Sequence, residues 1–190
     1  MASSKKRRRR CRRMSLSEVM TILVAFHQSH YRPFKYFYLW QVRRYWQGAF
    51  PTIVSYQRFV EFIPSTLVPL CGYLQNCFGN CTGISFIDST SIKVCHNRRI
   101  SSNRVFKDSG ARGKTSVGWF FGFKLHLVIN HLGELLNVKI TPGNVDDRRP
   151  VIDLLRRLFG KVSADRGYVS RKLVDELKRD DDITFIAKPR

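Results

Sequence analysis

Between Ser15 and Phe78 apolar side chains recur at intervals of three and four. From Gly83 onward they alternate, so the pattern predicts a helical region followed by one built largely of strands. Ser15-x-x-Glu18 reads as a capping box opening a helix to about His30, with Val19, Met20, Leu23, Val24, Phe26 and His27 on a broad apolar face. Pro33 suits the first position of a second helix with Phe34, Phe37, Tyr38, Val42 and Tyr45 on one side, and Arg43 and Arg44 near its end favour the dipole. Beyond Pro51, Ser55 caps a third helix carrying Phe59, Phe62 and Ile63. Pro64 and Pro69 break it into pieces ending near Phe78. Two readings fit this region: a DNA-binding module of helix-turn-helix type, or a bundle that covers the sheet of the next domain.

In the second region, Ile84, Phe86, Asp88, Thr90 and Ile92 fall on one face of a strand. Residues 97–115 read as a basic loop. The clearest strand is 119–130, with Phe121, Phe123, Leu125, Leu127 and Ile129 pointing one way and Lys124 and His126 the other. A turn at Leu132-Gly133-Glu134 leads to a partner strand over 135–141, stopped by Pro142-Gly143-Asn144. Asp146 and Asp147 open a helix in which Val151, Leu154, Leu155, Leu158 and Phe159 keep helical spacing until Gly160. A short strand, 161–164, delivers Asp165 at its tip. A helix with Leu173, Val174 and Leu177 inward and a last strand, 183–187, complete an α/β fold with a mixed sheet and flanking helices. The expected organisation is a basic arm over 1–14, a helical region over 15–80 and an α/β domain over 81–190.

Composition sharpens this picture at two points. Lys and Arg number 34 against 14 Asp and Glu, a formal charge of +20, which favours a polyanionic partner, with nucleic acid ahead of membrane lipid. Residues 5–13 alone carry eight of those positive charges and read as a flexible arm, either tracking a DNA backbone or merely solvated. No apolar run approaches the roughly 18 residues of a membrane span, and no signal peptide is visible, so a cytoplasmic protein without a membrane partner is expected. Five cysteines without a CxxC pair fit reduced thiols. The irregular spacing of Cys77, Cys81 and Cys95-His96 suits packing better than zinc.

Candidate chemistry centres on two acids. A carboxylate among apolar strand residues calls for a metal, a cation or strong hydrogen bonds, unless Asp88 simply caps the strand end and bonds Ser89 or Thr90. In the expected sheet the first strand is central and the fourth lies beside it, so Asp88 and Asp165 meet at strand tips, where open α/β sheets do their work. Converging acids in so basic a chain suit Mg²⁺ or Mn²⁺, and a pair of ions about 4 Å apart would serve in-line displacement at phosphorus. The competing reading pairs Asp165 with Arg166 or a neighbouring Lys. Asp146 either approaches the metal edge or caps its helix, and Asn144 either fixes its turn or lines the site. Arg98, Arg99, Arg104 and Lys114 crowd the loop leaving the Asp88 strand and are candidates for phosphate contact, with Arg166 beside Asp165.

Several words of the chain together resemble the DDE transposases of bacterial insertion sequences, most closely the insertion-sequence nine-eighty-two type. They are Ser85-Phe86-Ile87-Asp88-Ser89-Thr90-Ser91, Cys95-His96-Asn97-Arg98-Arg99, Gly122-Phe123-Lys124-Leu125-His126, Thr141-Pro142-Gly143-Asn144-Val145-Asp146-Asp147 and Asp165-Arg166-Gly167-Tyr168. The likeness runs from about Met14 almost to the end. It implies an RNase H-like catalytic fold, catalytic and metal-binding roles for Asp88 and Asp165, and two Mg²⁺ or Mn²⁺ ions. It also implies double-stranded DNA partners (terminal repeats and target), a homo-oligomer on DNA, and association with the nucleoid. Under this resemblance Lys124 and His126 are DNA contacts, or else solvent-facing residues without a role. The family's third acid is a glutamate on a helix after the fifth strand, whereas the glutamates here are Glu18, Glu61, Glu134 and Glu176, none in that place. A C-terminally truncated transposase with impaired strand cleavage and transfer is therefore expected. The alternatives are a non-catalytic DNA-binding remnant that regulates an intact enzyme, and a basic nuclease of the same fold.

Overall fold

A computed structural model of the chain describes residues 13–168, 170–180 and 183–187, so most of the expected basic arm lies outside the described residues. Its inner end is not free: Met14 is buried among the helices, and the Thr52 hydroxyl donates to the Arg13 carbonyl at 2.7 Å. The chain divides into two compact units between Asn76 and Cys77.

In the first unit, α1 (Leu16–Gln28) starts on the expected capping box, with the Ser15 and Glu18 side chains each bonding the other's backbone amide. The second helix is less regular. Short α segments, α2 (Phe34–Tyr36) and α3 (Arg43–Tyr45), flank a π-helical stretch, Phe37–Val42. The i→i+5 winding lengthens the repeat, so Phe37, Tyr38 and Val42 are buried while Tyr45, expected on the same face, is 67% exposed. Ser55 caps α4 (Tyr56–Phe62), and a 3₁₀ turn, Ile63–Thr66, leads into α5 (Leu67–Asn76). Pro64 marks a break, but Pro69 does not, because it sits in the first turn of α5 where no amide hydrogen is required. The core here is aromatic: Tyr38 and Phe59 pack with centroids 4.6 Å apart, and the Tyr38 hydroxyl donates to the Val54 carbonyl at 2.8 Å.

The second unit is an α/β structure around one mixed sheet. Its strands are β1 (Ile84–Cys95), β2 (Ala111–Thr115), β3 (Gly118–Asn130), β4 (Leu135–Pro142), β5 (Gly160–Ala164) and β6 (Ile183–Ala187). They lie in the order β2-β3-β1-β5-β6, and β4 pairs with β3. Strands β1 to β4 pair antiparallel where they touch, whereas β5 runs parallel to both β1 and β6. Strand β2 falls in the stretch expected to be a loop. Arg112-Gly113-Lys114 offers no apolar alternation, and only its pairing with Trp119 to Phe121 makes it a strand.

The covered face of β1 is opposite to the one expected. Ser85 and Ile87 are buried, opposed to Asn130 and Val128 of β3, while Ile84 and Phe86 remain 46% and 44% exposed. Both faces of β1 and β3 carry apolar residues, so alternation alone cannot choose between them. The choice is made by α6 (Val151–Leu155) and α7 (Arg171–Asp180), whose Val151, Leu154, Leu155, Leu173 and Leu177 join Ile87, Val128, Val162, Ile183 and Phe185 in one core. Helix α6 is shorter than expected at both ends. Pro150 is its N-cap, so Asp146 and Asp147 precede the helix rather than open it. At the other end Arg157 turns to φ 74° and Gly160 to φ 88°. A Cβ on Gly160 would stand 2.3 Å from the Gly83 carbonyl oxygen, which accepts the Lys161 amide at 2.8 Å. That close approach starts β5, so the helix ends before Leu158 and leaves Phe159 56% exposed.

Candidate active site

Strands β1 and β5 bring the two acids together by register. Their last paired residues are Ile87 and Ala164, and Asp88 and Asp165 are the next residue on each strand. Neighbouring parallel strands lie about 4.8 Å apart, and residues in register share a face. Both acids line one cleft with Ser89, Lys114, Lys124, Asp147 and Tyr168. Asp88 is exposed, so the expectation that it is a buried carboxylate does not hold: Ile84 and Phe86 on its face are themselves open to solvent. Its position at the cleft, rather than desolvation, is what marks it. The Ser89 amide donates to Asp88 Oδ1 at 2.7 Å, so the expected local bond to Ser89 is present, although β1 runs on to Cys95 and Asp88 does not cap its end.

A third carboxylate, Asp147, reaches the cleft from the loop before α6. Its Oδ1 accepts from the Ser89 hydroxyl at 3.1 Å and pairs with Lys124 Nζ at 3.0 Å, and the same ammonium donates to the Val145 carbonyl at 2.9 Å. Asp146, the neighbour favoured in sequence, turns away to Arg148, whose Nε donates to its Oδ1 at 2.8 Å. Hydrogen bonds from the Arg148 side chain lead the causes that hold the Asp146 carboxyl at about 2. Nothing in the sequence separates the two acids except that Arg148 follows, two residues from Asp146.

The basic candidates sort into three groups. Lys114 and Lys124 line the cleft, but Lys124 is committed to Asp147 and Val145. Arg98 and Arg99 on a 3₁₀ turn (Asn97–Arg99), Arg104 on the following loop, and Arg166 on the turn after β5 are exposed. None of these four arginines takes part in an ion pair among the described residues. His126 is neither a surface contact nor solvent-facing. It lies on the covered face of β3, fully buried, with Nε2 2.9 Å from the Thr141 hydroxyl and Nδ1 unpartnered. Burial lowers its pKa, with Lys124 and Lys139 adding to the effect and Asp147 opposing it. Cys71, Cys77, Cys81 and Cys95 are free thiols, and among the described residues no three His, Cys, Asp or Glu side chains converge as a ligand set.

β1 continues to Cys95, so Asp88 lies within its strand and not at the expected tip, while Asp165 directly follows β5. Both are hard oxygen donors open to solvent where the β1–β5 pairing ends, and this donor set fits Mg²⁺ or Mn²⁺ rather than a softer ion. Tyr168, not identified in the sequence as a site residue, closes the floor of the cleft. Its hydroxyl is buried without a hydrogen bond of good geometry. Burial leads the causes that push it up to about 12; Ser89, the next largest, opposes it, and the charges of Asp147, Asp88 and Asp165 add to the rise. A phenol whose folded pKa lies above the unfolded value near 10 contributes stability in full below pH 10, and loses it as pH rises through 12. Tyr168→Phe is therefore expected to flatten the alkaline fall in urea-unfolding stability between pH 10 and 12. An unchanged alkaline limb would show that the phenol is not shielded.

The sequence model of a family described as Transposase DDE domain matches residues 78–190, more than half of the chain. No curated protein and no solved structure matches.

Proposed function

The chain belongs to the DDE-domain transposases, and from that premise we propose that it is an insertion-sequence transposase of the nine-eighty-two type. In this reading its second unit is an RNase H-like domain acting on the ends of the element. The observation that carries the reading is the adjacency of Asp88 and Asp165 in the β1–β5 register. Four strands with antiparallel pairing, followed by helix-linked parallel strands, support the RNase H-like assignment.

Asp88 and Asp165 are the proposed holders of two divalent ions, Mg²⁺ or Mn²⁺, which when bound would supply Lewis acidity at phosphorus and a more acidic water or 3′-hydroxyl. The protein's own part is electrostatic and positional. Lys114 lies in the cleft where it can balance phosphate charge. Exposed Arg98, Arg99, Arg104 and Arg166 follow the DNA backbone, and the net charge of +20 makes that binding steeply salt-dependent. Lys124 and Ser89 hold Asp147 beside the acid pair and keep its charge compensated. With Asp147 engaged by Lys124, only Asp88 and Asp165 are left among the described residues as free anionic ligands, and turnover by this chain is expected to be slow. On DNA the protein is expected to act as a homo-oligomer associated with the nucleoid. Among the described residues no helix is long and apolar enough to cross a membrane.

One observation favours a second reading: the third acid of the cleft is already engaged by Lys124, as in a DNA-binding regulator that does not cut. Incubation of the purified chain and Mg²⁺ with DNA carrying the element's terminal repeats decides among the readings. The expected result is slow nicking at the repeat boundary, well above that on unrelated DNA. Binding without cleavage would replace the enzyme with the regulator, and indifferent cutting of any DNA would replace it with a nuclease.

A further inference from the structure

Strands β2 and β3 form a hairpin whose two-residue loop, Ser116-Val117, leaves Val117 87% exposed at its tip. The pair next to the tip is Thr115 and Gly118, and the next is Lys114 and Trp119. Trp119 is 61% exposed, an unusual state for the largest apolar side chain, and its backbone is paired with Lys114 across the hairpin. The Lys114 ammonium stands over the indole, 5.8 Å from the ring centroid. Asn97 Nδ2 donates to the Trp119 carbonyl at 2.9 Å and so ties the Arg98-Arg99 turn to the same strand. Lys114, Thr115 and Ser116 in turn line the cleft of Asp88 and Asp165.

An open aromatic ring on a hairpin, with a lysine over it, an arginine-bearing turn tied to its strand, and its hairpin partner lining a cleft suited to a phosphodiester, has the makings of a base-stacking site. Single-stranded nucleic acid is held by this combination of positive charge along the backbone and aromatic faces for the bases. A paired duplex keeps its bases stacked on one another, so only an unpaired base can use the ring. We propose that Trp119 is a stacking platform for an unpaired DNA base next to the phosphate engaged at Asp88 and Asp165. The proposal rests on the transposase reading and adds to it a preference for DNA that is frayed or single-stranded beside the cut.

The test is equilibrium binding of the full chain, in Ca²⁺ so that no strand is cut, to two sets of labelled DNA. One set is fully paired. The other carries an unpaired 2-aminopurine next to the repeat boundary. The wild-type protein is expected to bind the unpaired set more tightly and to quench the 2-aminopurine by stacking. Trp119→Ala should weaken binding to the unpaired set by about tenfold to a hundredfold, and to the paired set by less than about twofold. Trp119→Phe should restore most of the loss. The ring is exposed, so melting temperatures should agree, and the quenching read on the wild type stands without any variant. Equal weakening on both DNA sets, or no quenching, would overturn the stacking site while leaving the transposase reading intact. A wild type that binds neither set would remove that reading and this inference with it.

Discussion

Asp88→Asn is expected to reduce Mg²⁺-dependent cleavage of repeat DNA to background, at least about a thousandfold, while leaving DNA binding unchanged or slightly tighter. The loss follows from charge. An amide of the same shape keeps the acceptor for the Ser89 amide, so β1 loses no local bond. Asp88 is exposed, and no core contact depends on it. What disappears is one of two anionic ligands where the β1–β5 pairing ends. Metal stabilisation of a phosphoryl transition state amounts to several kcal/mol, and each 1.36 kcal/mol is a factor of ten in rate. Removing a negative charge from a cleft that receives phosphate also relieves repulsion, so affinity does not fall. Single-turnover cleavage and a filter-binding isotherm on the same preparation read both halves. A variant that cuts at more than a tenth of the wild-type rate would show that Asp88 is not a ligand in the reaction.

The largest structural effect is expected from Gly122→Ala. Gly122 sits at φ 153° in β3, where the strand is clasped on both sides. A Cβ there would lie 2.0 Å from the Ile92 carbonyl oxygen of β1 and 3.1 Å from the Val94 nitrogen, both backbone atoms that no rotamer change can move. On the other side its carbonyl accepts the Gly143 amide at 2.9 Å. Backbone strain of roughly 1–3 kcal/mol adds to overpacking of roughly 1–3 kcal/mol, giving a loss on the order of 4 kcal/mol, a large share of the stability of a small domain. Gly118→Ala, with an unfavourable φ of 137° but nothing within 4 Å, should cost clearly less. Urea midpoints for the two variants provide the comparison. A Gly122→Ala protein within 1 kcal/mol of wild type would mean that β1 and β3 do not approach as described.

Local signals read well from sequence where one residue type makes one demand. The Ser15–Glu18 box, the Ser55 cap, the partner strand over 135–141 and the short strand ahead of Asp165 need only neighbours a few residues away. Sequence signals misled where two solutions have similar local energies and distant packing chooses. Apolar residues on both faces of β1 and β3 left the choice of face to α6 and α7, and the opposite choice put His126 in the core instead of at the DNA. The π-helical stretch Phe37–Val42 follows from aromatic packing against α4, which spacing does not encode, and it turned Tyr45 outward. In the site, the meeting of Asp88 and Asp165 was legible because the expected topology put the short strand before Asp165 beside the Asp88 strand, even though β2 was not expected. Asp147 and Tyr168 were not, since their roles depend on Arg148 capturing Asp146 and on a hydroxyl buried beneath three carboxylates.

The central claim is that Asp88 and Asp165 hold a shared divalent ion, and paramagnetic broadening by Mn²⁺ reads this without any turnover. In amide spectra of the full chain, low Mn²⁺ should broaden the signals of Asp88, Ser89, Asp165 and Arg166 together, and Asp165→Asn should shift that broadening to much higher Mn²⁺ on both strands. Broadening confined to one of the two strands, or unaffected by Asp165→Asn, would contradict the account.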